Sequence, residues 1–185
     1  MKRVNSPKTY LIPPLVLVFA FVNPFVEEIM FNQEGVYMAS HYALALAGGL
    51  IGYYYFSGRN YFAYIGSLLI VIWHIPQLFV LGGGIALFRA LDEISIFAGG
   101  FLIGTAVRDM KLVEKILLFV LWMLGDTTLA VILVISYPFY TSPPLPYSPY
   151  PSSEEPITGY VMVVAMTAIL AFLLFKAFKN LNIFG

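Results

Sequence analysis

Apolar residues run through this chain in blocks of about twenty, separated by Gly, Pro, Asn and charge. The blocks predict six membrane-spanning helices at about 10–30, 36–56, 61–81, 85–107, 112–136 and 158–178. Each is long enough to cross a hydrocarbon core of roughly 30 Å. Ser57-Gly58-Arg59-Asn60, Gly82-Gly83-Gly84 and Arg108-Asp109-Met110-Lys111 read as tight turns, which makes spans two to five successive antiparallel neighbours. One connection, 137–157, is long and carries seven prolines between Pro138 and Pro156 together with Tyr137, Tyr140, Tyr147 and Tyr150. Proline at that density removes backbone donors and favours an extended strap, either capping a site, docking a partner or simply linking two spans. No internal repeat and no heptad emerges from the pattern.

Composition fixes the setting. Hydrophobic residues make up 60% of the 185 and charged residues 11%, with a mean hydropathy of +0.84. The expectation is one all-α, multi-pass bundle in the cell membrane, with lipid as its solvent. Zero net charge argues against nucleic acid. Cysteine is absent, so disulfides, thiolate metal sites and iron–sulfur clusters are excluded. The first apolar block lacks a small-residue cleavage site before Glu27 and Glu28 and is expected to stay as a helix. With the N-terminus cytoplasmic, nine of the ten Lys and Arg residues fall on the inner face and only Arg89 falls outside, which places both termini inside.

Against this scaffold, ionisable side chains inside the blocks stand out: His41, His74, Arg89, Asp92, Glu93 and Asp126, with Glu27 and Glu28 at a segment end. Charge at such depth is expensive and marks functional paths or sites. At about 1.5 Å per residue from the outer ends, His41 lies roughly 8 Å deep, His74 roughly 11 Å, Arg89 roughly 6 Å, Glu93 roughly 12 Å and Asp126 roughly 15 Å. They occupy one slab of the outer half.

Met38 and His41 are three residues apart on one helix, and Met123 and Asp126 repeat that spacing on another. Imidazole and thioether suit copper, above all Cu(I), with carboxylates orienting the imidazoles. Two helical histidines at similar depth also suit the axial positions of haem b. Structural readings stand beside these: Trp73-His74-Ile75-Pro76 as a kink, Arg89 and Glu93 as an i,i+4 pair, Asp126 bonded by Thr127 or Thr128, and the methionines as packing. Arg89 is expected either to pair with Glu93, Asp92 or Asp126, or to snorkel outward. No nucleophile and base can be placed together, so the chain is not expected to be an enzyme.

The motifs resemble a family, the CtaG-type assembly factors of caa3 cytochrome c oxidase, over about Tyr37 to Phe178. Tyr37-Met38-Ala39-Ser40-His41 is similar to the family's His-Met-x-x-His helix, and Trp73-His74-Ile75-Pro76 to its Trp-His-x-Pro segment. Arg89 to Ser95 occupies the place of a His-x-x-Glu-His-x-Ser stretch, with Asp92 on the acidic position. Tyr137-Pro138-Phe139-Tyr140, and Glu154-Glu155 through Gly159 and Met162, resemble elements near the family's last helix. Tyr37, Arg89 and Glu93 stand where the family has histidine, and Asp126 where its segment is apolar. The short length and the Tyr- and Ile-rich composition also resemble a membrane family of thermoacidophilic archaea. The resemblance implies service to a respiratory terminal oxidase, either in copper-centre assembly or as a stable accessory subunit. A haem b subunit, or a small transporter or proton-conducting module built on the outer slab, remain the alternatives, as does a protein with no cofactor.

Overall fold

Pro24 and Pro76 organise the first two thirds of the chain. A proline fixes its own φ, lacks an N–H and pushes the preceding residue toward extended backbone, so it ends one helix and suits the first position of the next. In the computed structural model of the protein, which describes residues 1–137, 140–141 and 147–180, both prolines break a span in two. Helix α1 (Ile12–Phe21), preceded by a 3-10 turn at Lys8–Leu11, gives way to α2 (Pro24–Met30) with a bend of 58°, and α4 (Tyr61–Ile72) gives way to α5 (Pro76–Gly84) with a bend of 69°. Asn23 caps α2 by accepting from the backbone N–H groups of Phe25 and Val26. Ile75, extended at φ −68° and ψ 129°, precedes α5.

Each broken span leads into an unbroken helix of 22 residues: α3 (Glu34–Tyr55) after the first, and α6 (Ala86–Val107) after the second. Helices α7 (Leu112–Val134) and α8 (Glu154–Asn180) follow. Strands β1 (Lys2–Arg3) and β2 (Phe56–Ser57) form a two-residue antiparallel ladder, Lys2 opposite Ser57. The fold is all-α. Among the described residues, Ala86–Val107, Leu112–Val134 and Glu154–Lys176 are long and apolar enough to cross a membrane, and counting each bent pair as one span brings the number to five. Predicted span 36–56 falls on α3, which is not among those candidates and has half of its residues buried by its neighbours. The predicted turn at Gly82–Gly84 is helical, and Ile85 alone connects α5 to α6. Of the expected strap, residues 138–139 and 142–146 lie outside the described residues.

The structure corrects the expectation of no repeat. Pro24 and Pro76, Glu34 and Ala86, and Tyr55 and Val107 are each 52 residues apart and mark the same boundaries in two successive units. Contacts obey the same offset. A Cβ placed on Gly48 would strike the Phe97 carbonyl, and one on Gly100 would strike that of Ala45; Gly52 faces the Phe101 carbonyl, and Gly104 that of Gly49. Every pair is reciprocal across 52 residues, the mark of a two-fold interface in which residue i meets j and j meets i. Both units run in the same direction, so α3 and α6 cross in parallel at a seam of small residues, as close-packed membrane helices do. No amphipathic pattern announces such a seam, because glycine's contribution is the side chain it lacks.

Helix α8 runs antiparallel to α7, with Gly159 against Val134 and Thr127 near Met166, and it also covers α3. The N-terminal strand, β2, the α6–α7 turn and the end of α8 therefore gather at one end of the bundle, where Ser57 bonds Asp109 and Arg108 bonds the Tyr53 carbonyl. The segment around Tyr140 and Tyr150 covers the opposite end, over α2 and α5.

Candidate functional site

The broken spans bring two helix C-termini together at the strap end, and their free carbonyls must find donors. Arg89, one turn into α6, supplies them. Its Nε donates to the Gly82 carbonyl at 2.9 Å, and its Nη2 to that of Gly83 at 2.7 Å and, more weakly, to that of Met30 at 3.4 Å. Met30 ends α2, and Gly82, 52 residues on, lies in the last turn of α5, so the guanidinium lies between two half-helix ends, where the dipoles favour a cation. Phe31 and Tyr37 cover its faces at 4.2 and 4.5 Å. Glu27 approaches Nη1 at 3.6 Å.

Arg89 is only 2% exposed, so it does not snorkel, and its ionic partner is Glu27 on α2, not Glu93, Asp92 or Asp126. The predicted partners lie on α6 itself or beyond α3, whereas the α1–α2 bend carries Glu27 back over the site.

One turn deeper, Asp92 is wholly buried and accepts from the Tyr37 hydroxyl at 2.6 Å; its same oxygen lies 2.8 Å from His41 Nε2. The carboxylate accepts from the Nε2–H of His41, whose other ring nitrogen, Nδ1, is buried without a hydrogen-bond partner. His74 sits in the break between α4 and α5. The last turn of α4 tightens there, the His74 N–H going to the Val71 carbonyl, and the imidazole Nδ1 turns back to the Ile70 carbonyl at 3.0 Å. A carbonyl only accepts, so His74 keeps its free lone pair on Nε2. The two imidazoles meet edge to face with centroids 5.3 Å apart.

Aromatic rings close the site. Phe79 of α5 packs on Tyr37, His41 and Tyr140. The Tyr140 hydroxyl donates to the His74 carbonyl at 2.8 Å, and that of Tyr150 to the Met30 carbonyl at 2.7 Å. Burial raises the Tyr140 phenol to about 12, helped by the negative charges of Glu34 and Glu155, and burial likewise pushes Tyr150 upward. Gly83 is required here because a Cβ would meet the Tyr150 ring at 2.7 Å.

The profile of a family described as "Protein of unknown function (DUF1404)" matches residues 12–180. The chain belongs to the DUF1404 family. No curated protein and no solved structure matches it.

Not every candidate in this DUF1404 chain reaches the site. Met38 packs in one apolar cluster with Tyr37, Phe79 and Tyr140 of the site and with Ala130, Leu133, Met162 and Met166 of α7 and α8, and is not seen bonded to either histidine; Met123 packs against that cluster from α7. Asp126 accepts from Tyr42 at 2.7 Å, on another face of α3, since neighbouring residues 41 and 42 diverge by about 100° around a helix. Thr127 and Thr128 do not bond it; their hydroxyls point to Met166 and to the Leu124 carbonyl. Glu93 faces away from the histidines, on the α1 side of α6. Gly82, Gly83, Phe31 and Phe79 escaped the sequence reading because they are apolar or lack side chains. The two prolines, each followed after ten residues by a long helix, were the available signal.

A metal ion is tested by the donor set. Among the described residues no group of three or more His, Cys, Asp or Glu is spaced to hold one. His41 and His74 bring two imidazoles together, a ligand type that Cu(I) accepts.

Proposed function

We propose that this protein handles copper in the membrane, taking Cu(I) as cargo between His41 and His74, in the service of a respiratory terminal oxidase as an assembly factor or an accessory subunit. The observation that carries this reading is the pair of imidazoles in contact, each fixed by a second acceptor so that its free nitrogen is turned away from that partner. The motifs at His41 and His74 that resemble the CtaG-type factors supply the oxidase. Edge-to-face contact favours copper over haem b, because a porphyrin lies between its axial imidazoles. Asp92 orients His41 and balances the charge of bound cation, while Phe79 and Tyr140 keep water out. In this reading α3 counts as a sixth crossing, and both termini are cytoplasmic, with the basic end of the bundle inside.

The test is copper retention. Protein purified in detergent, loaded with Cu(I) and desalted should retain the metal, and His41→Ala and His74→Ala should each retain about tenfold less or lower still. Met38→Leu should retain it fully. Wild-type retention in both histidine variants overturns the reading and leaves the Tyr37–Asp92–His41 row to the proton-conducting alternative, which a pH-gradient assay in vesicles addresses. Pull-down from native membranes should recover oxidase subunits.

A further inference from the structure

A polar cavity lies at the end of the bundle away from the histidines. The N-terminal segment arches over the last turn of α3 and is tied to it: the Val4 N–H donates to the Tyr55 carbonyl at 2.8 Å, the Tyr55 hydroxyl to the Pro7 carbonyl at 2.6 Å, and the Ser6 hydroxyl to the Tyr54 carbonyl. Tyr10 stacks on Tyr54 with ring centroids 4.3 Å apart. The arch borders a cavity of about 420 Å³ whose lining includes Arg3, Asn5, Lys8, Leu11 and Tyr55. Its charge is all of one sign. Among the described residues no Asp or Glu lines it, and neither Arg3 nor Lys8 has a carboxylate within ion-pair distance.

The 52-residue repeat indicates what belongs there. Subtracting 52 from Asn60 gives Lys8, and each residue leads into the first helix of its unit. In the second unit the Asn60 amide donates to both carboxylate oxygens of Glu114, at 3.2 and 3.0 Å, so the position is met by an anion that α7 brings in. In the first unit the amide is replaced by a full cation, a second cation stands beside it, and the place of the anion is open. The chain supplies the anion in one unit and leaves it to be supplied in the other.

An apolar path continues from the cavity. Leu11, Leu15, Val18 and Val22 recur at i, i+4, i+7 and i+11, on one face of the 3-10 turn and α1. Leu11 lines the polar cavity together with Tyr55; one turn further along both helices, Leu15 and Ile51 line the start of a groove of about 330 Å³ that runs on past Val18 and Val22. The distance from Leu11 to Val22 is roughly 16 Å. Glu93, which also lines the groove, is hydrogen-bonded to Glu27 and asks nothing of an occupant.

We propose that the cavity at Arg3 and Lys8 binds the phosphate of an anionic phospholipid, one hydrocarbon chain of which lies along α1 in the adjoining groove. Phosphate gives Lys8 what Glu114 gives Asn60. A guanidinium fork and an ammonium both suit its oxygens, and the cavity stands where the apolar face of α1 begins, at headgroup level. A zwitterionic head brings its own ammonium to compete with the two cations, and a phosphate without a chain leaves the groove unfilled.

The experiment takes the protein in dodecyl maltoside, stripped of lipid and without added metal, and reads bound lipid by native mass spectrometry. A single dioleoyl phosphatidylglycerol should be retained at a concentration about tenfold below that needed for dioleoyl phosphatidylcholine. Arg3→Gln and Lys8→Gln should each weaken its retention about fivefold, and the double variant about 30-fold. Both side chains are exposed, so neither change threatens the fold. Lys2→Gln removes the same charge outside the cavity and should leave retention unchanged. Inorganic phosphate in excess should not displace the lipid, and Val18→Trp, which fills the groove, should weaken it. Equal retention of the two lipids, equal losses for Lys2→Gln and Lys8→Gln, or displacement by inorganic phosphate, the mark of a soluble-anion site, would each overturn the proposal. No step depends on copper, so the outcome is independent of the histidine test.

Discussion

Arg89→Ala removes the side chain on which both half-helix ends converge, and its cost can be worked from the contacts. The guanidinium gives two good hydrogen bonds, at 2.9 and 2.7 Å, to the Gly82 and Gly83 carbonyls. Each is charge-assisted and worth about 1.5–3 kcal/mol net. The Phe31 and Tyr37 rings add about 0.5–2 kcal/mol each. Set against these is the cost of burying the cation, which vanishes with the side chain, so the net loss should be about 3–5 kcal/mol. Unfolding by SDS in mixed micelles reads it directly. Arg89→Lys should recover less than half, because one ammonium cannot span the Gly82 and Gly83 carbonyls while lying flat between two rings. Glu27→Gln should be non-additive with Arg89→Ala, and Asp126→Asn additive within about 0.5 kcal/mol, since Tyr42 and not Arg89 is the partner of Asp126. A loss below about 1 kcal/mol for Arg89→Ala would mean that the guanidinium sits in the headgroup region, and the account of the site would fail.

Three further outcomes follow from the fold. Gly48→Ala and Gly100→Ala should destabilise by similar amounts, about 1–3 kcal/mol, in the same unfolding assay, whereas Gly125→Ala, with nothing within 4 Å, should be neutral or slightly stabilising; unequal losses at the two seam positions would contradict the reciprocal packing. Tyr42→Phe leaves the half-buried Asp126 with Trp122 as its remaining side-chain donor and should cost about 1 kcal/mol, with little further loss when Asp126→Asn is added. For topology, a cysteine at Tyr147, which is 73% exposed, should react with an impermeant thiol reagent from outside intact cells, and one at Arg59 only after rupture; Ser148 is a poor position for the label because it is buried and bonded to the Tyr140 carbonyl.

The sequence by itself determined the all-α, apolar-helix character and the boundaries of most helices, because burial in hydrocarbon imposes length and apolarity on each segment separately. Position along a helix follows from counting residues. Rotation about a helix axis does not, and rotation decided that His41 meets Asp92 and His74 while Tyr42, one residue on, takes Asp126 on another side of α3. The partner of Arg89 was equally out of reach, since Glu27 arrives through a 58° bend that no local pattern quantifies. The two-fold repeat was written in the positions of Pro24 and Pro76 and of four glycines, yet only the packing of α3 on α6 gave those positions meaning. A glycine is informative where a neighbouring backbone takes the space of its missing side chain, and that neighbour is supplied by the tertiary structure alone.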